Sequence, residues 1–106
     1  MRTNESRVSI MIREKILSTL KSHIKDFKRF HVASLAIFGS VARDDDGPDS
    51  DVDVLVRFEG QATFDLYMEL KFYLEDLCKR KVDLVSEKAL KPNLKKYIER
   101  DLVHVT

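Results

Sequence analysis

The feature that most constrains this chain is a run of acidic residues that leads directly into a β-strand pattern. Six aspartates lie between Asp44 and Asp53, and residues 52–58 are rich in β-branched side chains. A charge run of this kind is usually a solvated loop. Because side chains alternate across a strand, however, Asp51 and Asp53 share one face. The opposite face, which points toward a core, carries three valines, Val52, Val54 and Val56.

Length and composition predict a single domain, residues 1–106, with one core. The chain has 106 residues, of which 43% are hydrophobic and 35% charged, and this size and composition are typical of a small globular domain. It lacks an apolar run long enough to span a bilayer. It also lacks a secretory signal pattern, and its one cysteine, Cys78, cannot form an internal disulfide. We therefore expect a cytoplasmic protein without a membrane association.

The net charge of +1 argues against non-specific nucleic-acid binding, which calls for a strongly basic surface. We expect no direct contact with nucleic acid. The acidic residues are instead concentrated in the middle third of the chain, which indicates a local site.

Hydrophobic periodicity predicts alternating helices and strands. Helices are expected over residues 7–28, 41–45, 63–79 (with Thr63 as N-cap) and from Pro92 to about 101. Strands are expected over residues 34–38, 52–58 and 81–85. Residues 103–106 either form an edge strand or hang free. This order indicates an α/β (α+β) domain, with a small mixed sheet of three to four strands flanked by helices. The pattern alone does not give the strand directions.

Two close carboxylates on one strand face predict a cation site. Asp51 and Asp53 repel each other unless a cation lies between them, and oxygen ligands of this type suit Mg²⁺ or Mn²⁺. Asp83 is an acid between two apolar residues of the third predicted strand. Either it completes a site of three carboxylates or it faces solvent on an edge strand, and the pattern does not separate the two.

The dipeptide Gly39-Ser40 ends the first predicted strand. Such a turn presents backbone N–H groups and a hydroxyl to an anion, although alone it is simply a turn. Ten residues later Asp51-Val-Asp53 opens a strand. A phosphate cradle beside a metal-binding carboxylate pair predicts a site for a nucleoside triphosphate.

The run GSVAR…SDVDVLV resembles the signature of the polymerase-β-like nucleotidyltransferase superfamily, and in particular its minimal members, the MNT-type antitoxins that pair with HEPN-domain toxins. The similarity covers nearly the whole chain, including the closing segment 90–100. It implies a nucleotidyltransferase fold, ATP as substrate and two Mg²⁺ ions held by Asp51, Asp53 and Asp83. It also implies that Gly39 and Ser40 hold the β- and γ-phosphates.

Two further residues match the family pattern. Arg43 is expected to support the phosphate end of the nucleotide or, equally well, to form a salt bridge to residues 44–46. Ser50 precedes the acidic pair and is expected to brace the turn rather than to contact substrate. Other motifs are absent: there is no P-loop, and the acidic run fails the EF-hand spacing.

The resemblance also implies the reaction, since nothing in composition or spacing selects adenine. AMP would pass from ATP to a tyrosine hydroxyl of a HEPN-family RNase toxin, with Asp83 able to take the hydroxyl proton. So short a chain leaves no domain to hold an acceptor, so a partner protein is expected to supply it. Two alternatives remain open: an antitoxin that acts by binding alone, and a stand-alone transferase for a small molecule or an RNA end.

Overall fold

The computed structural model describes residues 5–43 and 50–106. Five helices are described: α1 (Glu5–Ser22), α2 (Ile24–Phe27), α3 (Gly39–Arg43), α4 (Phe64–Cys78) and α5 (Pro92–Glu99). Four strands are described: β1 (Val32–Phe38), β2 (Val52–Phe58), β3 (Val82–Ser86) and β4 (Val103–His104). Short 3₁₀ turns cover Lys28–Phe30 and Glu87–Ala89. Within the described ranges, every helix is too short or too polar to cross a membrane.

The strands form one mixed sheet in the order β3-β2-β1-β4. β1 runs antiparallel to both β2 and β4, whereas β2 and β3 are parallel. The end of β1 therefore lies beside the starts of β2 and β3. This topology confirms the predicted mixed sheet flanked by helices. Of the two alternatives for residues 103–106, the structure shows the edge strand, as β4.

The helices α1 and α4 cover one face of the sheet, which we call the core face. Strands β1 to β3 contribute alternate residues to it, and in β2 these are the three predicted valines, all fully buried. Helices α1 and α4 add Leu20, Leu70 and Leu74 to the same hydrophobic cluster. Asp53, Leu55 and Arg57 project from the opposite face of β2, which we call the acid face.

The helix predicted over residues 7–28 is interrupted. α1 ends at Ser22, and α2 begins at Ile24 after His23, whose backbone is not helical. The His23 ring nitrogen Nδ1 is 2.8 Å from the Thr19 carbonyl oxygen, in the last turn of α1. Apolar spacing continues through the break, so hydrophobic periodicity could not detect it.

The short helix predicted over residues 41–45 begins earlier, at Gly39. Its predicted end, at residues 44 and 45, lies outside the described residues. Thr63 caps α4 as predicted, because its hydroxyl accepts a hydrogen bond from the Leu66 N–H at 3.1 Å. The closing helix ends at Glu99, two residues before its predicted end.

Candidate active site

Two of the three predicted carboxylates are direct neighbours in the sheet. In the parallel pairing of β2 and β3, Asp53 is the register partner of Asp83. Both follow a buried valine at the start of their strands, so both project from the acid face. β3 is also the edge strand of the sheet. Asp83 therefore lies on an edge strand, as one alternative expected, and also beside Asp53, while the site of three carboxylates stays a prediction.

Asp51 is held in place through its backbone neighbours. The Arg80 guanidinium donates a hydrogen bond to the Ser50 carbonyl at 3.1 Å, and the Val52 N–H donates to the Lys81 carbonyl at 2.9 Å. The turn between α4 and β3 thus fixes the segment on both sides of Asp51. The Asp51 side chain itself is exposed, at the same end of the acid face as Asp53.

The Gly-Ser turn packs directly against the acidic pair. Gly39 has a φ of +75°, a left-handed conformation that favours glycine. A Cβ atom at Gly39 would lie 2.0 Å from Oδ2 of Asp53. Both the conformation and the close approach therefore require glycine. This contact follows from the pairing of Phe38, the last residue of β1, with Asp53.

The carboxylates make the site electrostatically unfavourable for a further negative charge. Burial raises the pKa of Asp53 above its ordinary value, and the charges of Asp83 and Asp51 raise it further. Arg43 acts in the opposite direction and lowers the pKa of Asp53. A cation bound among these groups would relieve the repulsion.

Arg43 makes an ion pair that the sequence did not indicate. Its Nη1 donates a hydrogen bond to Oδ2 of Asp101 at 3.0 Å, so α3 is tied to the segment that joins α5 to β4. The predicted alternative, a salt bridge to residues 44–46, falls outside the described residues. Arg43 also lies close enough to Asp53 to affect its pKa, so its charge reaches the site.

The two serines of the motif lie beside Gly39 and beside Asp51. Ser40 is the second residue of α3 and is partly exposed next to Gly39. Ser50 lies immediately before the acidic pair, with its carbonyl bound by Arg80. That contact uses the backbone of Ser50, so the roles assigned to both hydroxyls stay predictions.

The donor chemistry of the site fits a hard divalent cation. In the segments 5–43 and 50–106, no group of three His, Cys, Asp or Glu side chains is arranged to hold a metal ion. Asp53 and Asp83 nevertheless share a register position, and Asp51 acts on the pKa of Asp53. Carboxylate oxygens are the ligands that Mg²⁺ prefers, in sites usually shared with substrate phosphates. The carboxylates thus suit a divalent cation such as Mg²⁺.

One cavity among the described residues lies away from these carboxylates. It has a volume of about 500 Å³ and is found at the far ends of β2 and β3, beside the start of α4. Phe58, Phe64 and Tyr67 form its aromatic walls. This cavity is therefore separate from the carboxylates of the acid face.

Comparison with known proteins identifies the class of enzyme. The family model described as a nucleotidyltransferase domain matches residues 17–105, and the chain belongs to this family. It is accordingly a nucleotidyltransferase, and within the family it resembles the minimal, MntA-like members.

Several relatives illustrate this similarity. A candidate protein adenylyltransferase of Methanocaldococcus jannaschii is 44% identical over 93 residues, which cover 86% of this chain and 95% of the relative. The protein adenylyltransferase MntA of Thermococcus cleftensis is 38% identical over 99 residues, covering 92% of this chain and all of the relative.

Solved structures share the fold. A candidate minimal nucleotidyltransferase superposes with a TM-score of 0.76 at 34% identity, covering 86% of this chain and 93% of that one. A toxin–antitoxin structure with AMP-PNP superposes with a TM-score of 0.67 over 81% of this chain and 72% of that one. At 19% identity, the second likeness shows the fold alone.

Three residues around the site were not identified from the sequence. Arg80 and Asp101 act on the site through backbone and ion-pair contacts between distant segments. Tyr67 lies within the predicted helix over residues 63–79, and its hydroxyl donates a hydrogen bond to the Leu84 carbonyl of β3. Local periodicity carries no signal for such contacts, because each joins residues far apart in the chain.

Proposed function

We propose that this nucleotidyltransferase transfers AMP from ATP to a tyrosine hydroxyl of a HEPN-family RNase toxin and so inactivates it as an antitoxin. The observation that supports this most is the packing of Gly39 against Asp53 beside Asp83. A site for ATP with its metal ions requires the Gly-Ser turn and the carboxylates to be close together, and this packing supports such a site.

Relatives support the choice of nucleotide and acceptor. The similar proteins of T. cleftensis and M. jannaschii are named as protein adenylyltransferases. One structural neighbour is a complex of an MNT antitoxin with a tri-AMPylated HEPN toxin from Shewanella oneidensis. We extend these properties, protein as acceptor and a HEPN toxin as partner, to this chain.

In the proposed reaction, the tyrosine oxygen attacks the α-phosphorus of ATP. A new phosphorus–oxygen bond forms, the bond from the α-phosphorus to the α,β-bridging oxygen breaks, and pyrophosphate leaves. The hydroxyl proton passes to Asp83, directly or through water. Gly39 and Ser40 hold the β- and γ-phosphates, and Arg43 adds positive charge at the same end.

Asp51, Asp53 and Asp83 would hold Mg²⁺, with two ions as the proposed number. Bound divalent cations stabilise the charge that develops on the attacking and departing oxygens in reactions of this type. In this proposal the partner protein brings the tyrosine to the carboxylates on the acid face. We place the reaction in the cytoplasm, where ATP is available and an unpaired Cys78 is stable.

The proposal is tested by intact-mass spectrometry of the product of the neighbouring gene. That product is incubated with this protein, ATP and Mg²⁺. We expect a mass increase of one or more AMP residues, mapped by fragmentation to tyrosine. In the Asp51→Asn/Asp53→Asn variant, we expect the rate to fall by about a hundredfold or more.

A matched control separates loss of chemistry from loss of charge. Asp76 is an exposed carboxylate near the end of α4, and Asp76→Asn is expected to transfer AMP at the wild-type rate. A stable complex whose partner gains no mass would overturn the proposal in favour of neutralisation by binding alone. Transfer to a small molecule or an RNA end, with no protein modified, would overturn the choice of acceptor.

A further inference from the structure

Two side chains of α4 hold the backbone on either side of Asp83. The Glu75 carboxylate accepts a hydrogen bond from the Val82 N–H at 3.0 Å. The Tyr67 hydroxyl donates a hydrogen bond to the Leu84 carbonyl. Val82 and Leu84 are the residues immediately before and after Asp83. We call these two side chains of α4, Tyr67 and Glu75, with their hydrogen bonds to β3, the α4 clamp.

The α4 clamp acts where the sheet itself gives the least support. β3 is an edge strand that pairs with β2 alone. Because alternate residues of a strand direct their N–H and C=O groups to opposite edges, those of Val82 and Leu84 point away from β2. Without α4, β3 would be held from one side only. With it, β3 is held from both sides around Asp83, by β2 along one edge and by the two α4 side chains along the other.

We propose that Tyr67 and Glu75 are positioning residues, which hold Asp83 beside Asp53 at the geometry required for metal-dependent nucleotidyl transfer. Neither side chain needs to contact substrate. Both act through the backbone of β3, whose Val82 and Leu84 side chains are buried in the core. The inference rests on the proposed role of Asp83 as a metal ligand. Groups that orient metal ligands commonly change metal affinity or activity by 10–100-fold when they are removed.

The experiment compares variants that remove the clamp without changing side-chain size. Tyr67→Phe removes the hydroxyl, and Glu75→Met removes the acceptor while keeping the chain length. Glu75→Gln retains an oxygen that can accept from the Val82 N–H. Mn²⁺ affinity is measured by electron paramagnetic resonance on the protein alone. The AMP-transfer rate is measured separately with the partner.

We expect Tyr67→Phe and Glu75→Met each to weaken Mn²⁺ binding by about tenfold and to lower the maximal transfer rate by a similar factor. Glu75→Gln is expected to retain most of both. The Tyr67→Phe/Glu75→Met double variant should lose more Mn²⁺ affinity and more of the transfer rate than either single variant, because both residues that flank Asp83 then lose their contact with α4.

Tyr73→Phe is the matched control. Tyr73 is also on α4, and its hydroxyl donates a hydrogen bond at 2.7 Å to Asp26, away from β3. The Tyr73→Phe variant therefore loses one partly buried hydrogen bond of the same helix. We expect its Mn²⁺ affinity and maximal transfer rate to equal those of the wild type, with only thermal stability reduced. Equal losses of Mn²⁺ affinity in Tyr67→Phe and Tyr73→Phe would reduce the clamp to a general structural role.

Asp83→Asn distinguishes the clamp from the proposed function. If Asp83→Asn loses Mn²⁺ binding and transfer while the clamp variants keep both, the clamp inference fails and the proposed function stands. If Asp83→Asn itself binds Mn²⁺ and transfers AMP normally, the proposed role of Asp83 is wrong, and the clamp inference fails with it.

Discussion

The two faces of β2 place opposite physical demands on one seven-residue strand. Its core face carries Val52, Val54 and Val56, all fully buried beneath α1 and α4. Its acid face carries Asp53, whose pKa is raised by burial and by the neighbouring aspartates. One face stabilises the fold by removing apolar surface from water. The other accumulates like charges that a folded domain has no structural reason to bring together.

This difference separates what maintains the structure from what the structure is used for. The valines fix the register of β2, and the register in turn fixes which residues adjoin Asp53. Gly39 directly follows β1, and Asp83 lies in β3; these two strands are the neighbours of β2. The acid face thus depends on the core face for its geometry, while the core face gains nothing from the acids.

The largest expected effect comes from placing the same new side chain on each face. Val54→Asp puts a carboxylate into the core. We expect it to lower the free energy of unfolding by about 4 kcal/mol or more, which is a large part of the total stability of a small domain. Arg57→Asp introduces the same residue at an exposed position of the acid face and should change stability by less than about 0.5 kcal/mol. Circular dichroism during urea unfolding measures both. Similar losses in the two variants would show that the faces are not distinct.

A smaller effect is expected from two glycines that share a conformation but not an environment. Gly39 and Gly60 have φ values of +75° and +73°. Alanine should cost about 1–2 kcal/mol of unfolding free energy at either position. At Gly39 the new methyl group would also displace the Asp53 carboxylate, whereas at Gly60 nothing lies within 4 Å.

We therefore expect Gly39→Ala to lower AMP transfer by about a hundredfold, because small displacements of reacting groups are costly. Gly60→Ala should retain the wild-type rate in the same mass-spectrometric assay. A Gly39→Ala variant with normal transfer would mean that the position of Asp53 relative to the Gly-Ser turn is unimportant.

The smallest expected effect is a pH dependence of stability. Asp53 has a pKa above its ordinary value of 3.8, so the folded state binds its proton more tightly than the unfolded state does. The free energy of unfolding then decreases as the pH rises from 3.8 through the raised pKa. Without divalent cations, Asp53→Asn should therefore be more stable, relative to wild type, at neutral pH than at about pH 4. Urea unfolding at both pH values measures this, and a difference that does not vary with pH would contradict it.

The sequence predicted those features of the structure that depend on residues close together in the chain. Short-range patterns predict the alternation in β2, the Thr63 cap of α4 and the order of helices and strands along the chain. The break at His23 was missed because apolar spacing continues through it. For Asp83, the strand could be predicted but its neighbour could not, since strand pairing depends on the whole topology.

The same limit applies to the groups that support the site. The ion pair of Arg43 with Asp101 joins residues 58 positions apart. Arg80 reaches Ser50 over 30 positions. Charged residues of this kind are abundant in the chain, and periodicity gives no reason to pair one with another. The roles of the predicted site residues in catalysis stay predictions until the variants are measured.

The α4 clamp has a further consequence, for association with other chains. An edge strand with free N–H and C=O groups is a template on which a foreign strand can add and start aggregation. On β3, the outward N–H of Val82 and the outward carbonyl of Leu84 are already bound by Glu75 and Tyr67. An incoming strand would have to displace both side chains before it could pair there. The helix that orders this edge therefore also protects it from aggregation.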